Sequence, residues 1–276
     1  MSRTEMGSRM IRLPSEPKRE DPIYKPATLP PADQSNAAAF IFVHGLSDSG
    51  AALQNVADQF QEAGKLSHLH WILPSAKHNH NQNDTAWYIQ HSLSPIAFAR
   101  PELAPDEDEE GTAQTVSYLE SLINACVESG IPANRVICGG FSQGMAMSLL
   151  LHFTSKRYSG RLGGIVALLG YLPLSDGRSR LAELRAEHGL PEKLQDPVPI
   201  FMARGKSDTL VPRWVWQMSV DGVRSFGVSD ELTDIHEYEG LRHSISGGLL
   251  SDLCTWLSRS FRGRSKCRVA ITKLTL

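Results

Sequence analysis

Residues 135–154 read RVICGGFSQGMAMSLLLHFT, and this stretch passes from one backbone habit to another within a single turn. RVICGGF is a short apolar run and reads as a buried strand; SQGMAMSLLLHFT follows with almost no loop and reads as a helix. Between them stands Gly140-Phe141-Ser142-Gln143-Gly144, a G-x-S-x-G pattern. So sharp a turn from strand to helix forces its central serine into strained backbone angles, and neighbours without Cβ atoms relieve the crowding. The same geometry lifts Ser142 Oγ above the carboxyl edge of a sheet, near a helix N-terminus where negative charge is favoured. The bland account of the pattern is a tight turn that needs glycines, with Ser142 capping the helix. A cap requires no partners elsewhere in the chain; a nucleophile does.

Outward from this segment, short apolar strands alternate with helices. AAAFIFVH, HLHWILP, GGIVALLGYLP, DPVPIFMARG and DELTDIHEYEG read as strands. SGAALQNVADQFQEAG, GTAQTVSYLESLINACVESG and SGGLLSDLCTWLSRSF repeat apolar residues at helical spacing, the second with Val116, Leu119, Leu122, Ile123 and Val127 on one side. This alternation points to an α/β architecture, a mostly parallel sheet with helices on both faces. Residues 1–36 are polar and punctuated by Pro14, Pro17, Pro22, Pro26, Pro30 and Pro31, the pattern of a flexible leader. Residues 37–261 form one domain without an internal repeat, and 262–276 make a basic C-terminal tail.

An activated serine needs a general base, and the base needs an orienting carboxylate. On this scaffold the chain order is Ser, acid, His. Asp208 follows the strand VPIFMARG at the carboxyl edge where ligands bind in such sheets, whereas Asp221, Asp230 and Asp234 suit solvated surfaces. His188 precedes the acid, and His236 lies within a strand-like alternation. His243, in the loop GLRHSISGG between a strand and the last helix, is the expected base. An oxyanion forming at the carbonyl needs preorganised donors, and the expected ones are the N–H groups of Gln143 and of Leu46, in the loop after FIFV. His44 reads as a brace for that loop.

HGLSDSG, WILPSAKH, IPANRVICGGFSQGMAMSL, LLGYLPL, RGKSDTLVP and YEGLRHS resemble, in order and spacing, the acyl-protein thioesterase and carboxylesterase branch of the α/β-hydrolases over about residues 38–260. The resemblance implies the α/β-hydrolase fold, Ser142, Asp208 and His243 as catalytic triad, Leu46 and Gln143 as oxyanion donors, and no cofactor. It implies cleavage of acyl esters or thioesters, carried by small molecules or acylated proteins, through an acyl-enzyme. The chain departs from the family's usual residues at Met145 (a glycine), at Ile89 in Trp87-Tyr88-Ile89 (an aspartate), at Arg204 (a histidine before Gly205) and at Ser47-Asp48 (Gly-Asp). Those departures keep open a divergent esterase, lactonase or acyltransferase acting on a small secondary-metabolite ester. A non-catalytic hydrolase-fold binding protein is the alternative of another class, against which the ordered Ser, Asp and His argue.

The formal net charge of −2 supplies no field for nucleic acid or an acidic membrane. No apolar run is long enough to span a bilayer and no signal peptide is visible, so the expected location is cytoplasmic. Cys126, Cys138, Cys254 and Cys267 are scattered, as free thiols would be. The histidines His68, His70, His78, His80 and His91 lack acid or cysteine ligands at fixed spacing, so no metal is expected. SLSPIAFARPELAP, residues 92–105, reads equally as an acyl-channel lid or as a packed loop. The acidic run Asp106–Glu110 reads as a solvated capping cluster at a helix start.

Overall fold

A computed structural model describes residues 10–31, 33–79, 84–90, 108–174 and 180–261. The strands in chain order are β1 Ile23–Lys25, β2 Ala38–Val43, β3 Leu69–Leu73, β4 Lys77–Asn79, β5 Asp84–Ala86, β6 Val136–Phe141, β7 Gly164–Leu168, β8 Ile200–Gly205 and β9 Thr233–Tyr238. Seven of them form one sheet in the order β1-β3-β2-β6-β7-β8-β9, and β4 and β5 pair as a separate antiparallel hairpin. Every pairing from β3 to β9 is parallel; β1 alone runs antiparallel, with Tyr24 opposite Ile72.

Among the described residues six helices cover the sheet: α1 Gln54–Glu62, α2 Glu109–Glu128, α3 Gln143–Thr154, α4 Arg180–Glu187, α5 Arg213–Ser225 and α6 Gly247–Phe261. Strand side chains alternate between two cores. Ala39, Ile41 and Val43 of β2 pack on the side of α2, α3 and α5, while Ala38, Phe40 and Phe42 pack on the side of α1 and α6. With both faces covered, all six residues of β2 are buried, which is why the central strands read as continuous apolar runs. Each fully buried aromatic such as Phe40, Phe42 or Phe201 contributes about 1.5–3 kcal/mol of transfer free energy.

The leader expectation does not hold over the described part of residues 10–36. Ile23–Lys25 joins the sheet edge, and Ile11 is buried in the core. Arg19 donates from Nη1 to Ser75 O at 2.9 Å and lays its guanidinium 3.7 Å from the Tyr118 ring centroid. A three-residue strand is too short to show side-chain periodicity, and burial of Ile11, packing of Leu13 and Tyr24, the β1 pairing and the Arg19 contacts act together against the ordering entropy. Cys126 and Cys138 are free and buried, and burial pushes both thiols up to about 12. Cys254 is also free; Cys267, the tail and residues 92–105 lie outside the described residues.

After β2 the chain passes through α1 to β3 on one side, and β6 then pairs with the other side of β2. The carboxyl ends of β2 and β6 therefore flank a crevice at the point where the winding reverses, the place where open α/β sheets bind ligands.

Candidate active site

β6 delivers Ser142 to that crevice. Ser142 has φ 56° and ψ −118°, a conformation that costs about 1–3 kcal/mol for a residue with a side chain. It stands at the cap position of α3, yet its hydroxyl makes no capping hydrogen bond. The capping account of the serine therefore fails, and strain is stored where a free hydroxyl is presented. The flanking glycines are steric necessities: a Cβ on Gly144 would lie 2.0 Å from Val43 O, and one on Gly140 would lie 2.3 Å from the Gly144 carbonyl carbon. The helix start thus presses directly on the end of β2.

Asp208 comes from the loop after β8 and His243 from the loop after β9. Ser207 N–H donates to Leu241 O at 3.0 Å, tying the two loops together. His243 Nδ1 and Asp208 Oδ2 are 2.7 Å apart, and the carboxylate is almost fully buried. Its other oxygen, Oδ1, accepts from Leu210 N–H at 2.9 Å and Val211 N–H at 3.0 Å. Burial by itself raises the Asp208 pKa, but the bond to His243 and the two backbone donors outweigh it and hold the group below the usual carboxylate range. An ionised Asp208 is acceptor only, so the proton between the two groups sits on His243 Nδ1. The His243 ring packs against Phe141, the residue before Ser142, with centroids 4.9 Å apart.

On the other side of Ser142 lies the loop after β2, where Gly45 approaches so closely that a Cβ there would be 3.2 Å from Ser142 Cβ. Leu46 follows Gly45 in this loop, with a partly exposed side chain. His44 braces it as expected: Nδ1 lies 2.6 Å from Gly45 O, and Nε2 accepts from Ala76 N–H at 2.9 Å. Burial pulls the His44 pKa down, so the brace is neutral. Gln143 begins α3, where the first amides have no acceptor within the helix. His236 lies away in the sheet, 2.9 Å from Asp234 Oδ1 through Nε2 and stacked on Phe201.

Sequence reasoning missed the supports. The β4–β5 hairpin props the loop after β2, since Ser47 N–H donates to Thr85 O at 2.9 Å and Thr85 Oγ1 to Asp48 O at 2.6 Å. Trp87 Nε1 donates to His44 O at 2.9 Å, and Gln143 Oε1 accepts from Trp87 N–H at 3.1 Å. Ile89, which stands where an aspartate is usual, donates its N–H to Asp108 Oδ2 at 2.7 Å, while Oδ1 of the same carboxylate caps α2 at Gly111 N–H. Asp108 is thus a clasp as well as a cap. Arg204 is buried over Trp216, with Nη1 3.8 Å from Glu237 Oε2. The pairing of tryptophan and glutamine with a strand–turn–helix motif was the available signal, but their partners are remote in sequence.

A parallel sheet covered on both faces, with a strained serine at its winding reversal and an Asp–His pair beside it, defines an α/β-hydrolase. The family model described as Phospholipase/Carboxylesterase matches residues 26–261. The chain belongs to that family and is a serine ester or thioester hydrolase. It is 34% identical over 242 residues to acyl-protein thioesterase 1 of Yarrowia lipolytica, covering 86% of this chain and 98% of that one. It is 35% identical over 225 residues to acyl-protein thioesterase 1 of Neurospora crassa, covering 80% and 85%. The crystal structure of acyl-protein thioesterase 2 from Zea mays superposes with a TM-score of 0.63 at 25% identity, covering 84% of this chain and 97% of that one. Among the described residues no helix is long and apolar enough to cross a membrane.

Proposed function

We propose that the protein hydrolyses acyl thioesters and esters through an acyl-enzyme on Ser142, with S-acylated protein cysteines as the favoured substrate class. Ser142 Oγ attacks the acyl carbonyl while its proton passes to His243 Nε2, and Asp208 stabilises the imidazolium that results. The tetrahedral oxyanion rests on the N–H groups of Leu46 and Gln143. Collapse expels the thiol or alcohol, which takes the proton from His243. Water then attacks the acyl-Ser142 ester with His243 again as base, releasing the carboxylic acid and the free hydroxyl. The observation that carries this reading is the Asp208–His243 pair at 2.7 Å, packed beside a serine whose hydroxyl the helix leaves uncapped. The acyl-protein thioesterase relatives support the thioester preference.

The test is burst and steady-state hydrolysis of p-nitrophenyl acetate and octanoate and of an S-palmitoylated peptide, with Ser142→Ala beside the wild type. Turnover lost in the variant, together with fluorophosphonate labelling at Ser142, supports the mechanism. Turnover that survives Ser142→Ala removes it. A wild type that labels but cleaves only oxygen esters removes the thioester preference.

A further inference from the structure

Trp87, Tyr88 and Ile89 form a bridge between the two elements that flank Ser142. Trp87 Nε1 bonds the carbonyl of His44, in the loop that carries Leu46, and its main-chain N–H bonds the side chain of Gln143, the residue after Ser142. Gln143 is 1% exposed, and its Nε2 donates to Tyr88 O at 3.3 Å, so both ends of its amide are held by the bridge. The His44 ring lies against the Trp87 indole, with centroids 4.8 Å apart. One tryptophan thus couples the loop after β2 to the start of α3, the two places that supply the proposed oxyanion donors.

The bridge is itself anchored on α2. Thr115 Oγ1 donates to Trp87 O at 2.6 Å, and Asp108 Oδ2 accepts from Ile89 N–H at 2.7 Å. The two anchors are about two helical turns apart and so share one face of the helix. Helix threonines commonly bond back to a carbonyl one turn earlier, as Thr112 does to Glu109 O at 2.8 Å. Thr115 is as deeply buried as Thr112, yet it sends its hydroxyl to a residue 28 positions away. Asp108 likewise exceeds the need of a cap: one oxygen suffices for Gly111 N–H, and the second is committed to Ile89.

We infer that Thr115 and Asp108 are positioning residues for the reaction, which anchor the Trp87–Ile89 bridge and through it fix the spacing of the Leu46 and Gln143 N–H groups. The inference rests on the acyl-enzyme reading above. Neither side chain acts on the acyl group itself; each acts through Trp87 or Ile89. Oxyanion donors stabilise a transition state only when their geometry is set in advance, and here they come from two separate elements. Charge on the carbonyl oxygen develops in the transition state, so a misplaced donor slows acylation and leaves ground-state binding alone. Losing a donor outright costs about 10²–10³ in kcat, and shifting one by a fraction of an ångström is expected to cost about tenfold.

The experiment measures the burst phase of p-nitrophenyl acetate hydrolysis in the wild type, Thr115→Val, Thr115→Ser, Asp108→Ser and, as control, Thr112→Val. Valine keeps the shape of Thr115 and removes its hydroxyl, while serine at 108 keeps the cap and gives up Ile89. The expected result is an acylation rate constant about tenfold lower in Thr115→Val and in Asp108→Ser, with the half-saturating concentration unchanged. Thr115→Ser restores the rate, and Thr112→Val, which loses a hydroxyl on the same helix away from the bridge, keeps it. Wild-type acylation in both Thr115→Val and Asp108→Ser overturns the inference, as does an equal loss in Thr112→Val, which would mark general damage to α2. If Thr115→Val does not fold, Asp108→Ser decides by the same two constants. Hydrogen exchange of the peptide covering residues 43–50 reads the positioning without turnover. Faster exchange there in Thr115→Val than in Thr112→Val supports the anchor, and equal exchange overturns it. Ester turnover that survives Ser142→Ala removes the acyl-enzyme reading and leaves the exchange result to stand by itself.

Discussion

His152 on α3 is fully buried, and neither ring nitrogen has a hydrogen-bond partner. Burial, reinforced by the nearby Arg185 cation, brings its pKa from 6.5 down to about 3. The folded protein therefore holds a neutral imidazole across the whole mildly acidic range, while the unfolded chain takes up a proton below pH 6.5. A folded pKa below the unfolded one means that stability is present above pH 6.5 and is lost as pH falls toward the folded value. Protonation of the unfolded state costs the fold about 0.2 kcal/mol at pH 7 and about 2 kcal/mol at pH 5. His152→Leu removes this dependence and two orphaned polar atoms, whose burial costs about 1–3 kcal/mol at any pH. The variant is thus expected to exceed the wild type by about 1–3 kcal/mol at pH 7 and by about 2 kcal/mol more at pH 5. Urea unfolding followed by tryptophan fluorescence at pH 7, 6 and 5 measures the difference. Other titrating groups, Asp208 among them, are common to both proteins and cancel. Wild type and variant losing stability in parallel between pH 7 and pH 5 would refute the reasoning.

Asp208→Asn is expected to leave the fold intact and lower kcat about 10⁴-fold, because the amide cannot hold the Nδ1–H tautomer; rates at saturating p-nitrophenyl acetate report it. Gly144→Ala drives a Cβ into the Val43 carbonyl, which the glycine now approaches without hindrance. A displacement of about 1 Å at the nucleophile slows fluorophosphonate labelling about 100-fold, and an unaltered labelling rate would contradict the steric account. Arg19→Ala removes the stacking on Tyr118 and Trp87 and the bond to Ser75 O. A desolvated cation–π contact is worth about 2 kcal/mol, so the thermal midpoint falls by about 4–8 °C, with little change in labelling of Ser142.

The strand–turn–helix around Ser142 was legible because two periodicities and two glycines meet there, and the parallel sheet followed from apolar runs of strand length. Asp208 and His243 were legible through chain order and strand ends, and the structure brings them to one hydrogen bond. What escaped were contacts that no local pattern encodes. Ile23–Lys25 enters the sheet as three residues between Pro22 and Pro26, too few to show a period, with Tyr24 bonded to His70, remote in sequence. No local pattern marks Lys77–Asn79 as a strand, yet it pairs with Asp84–Ala86 as a hairpin that holds Ser47. Asp108 looked like one charge in an acidic run, but its two oxygens serve two different backbone donors. Met145 stood out as a departure in sequence, but only the fold shows that it opposes Gly170.

Arg135, at the start of β6, donates to Ala37 O at 2.9 Å, Asn36 O at 2.6 Å and Phe261 O at 3.2 Å. One guanidinium therefore gathers the beginning of β2 and the last residue of α6 at the amino-terminal rim of the sheet, far from the rim that carries Ser142. The hydrolase core is, in effect, a loop of chain fastened at its own clasp. A fusion partner or a surface tether attached after residue 261 therefore sits at that clasp, at the rim of the sheet opposite Ser142.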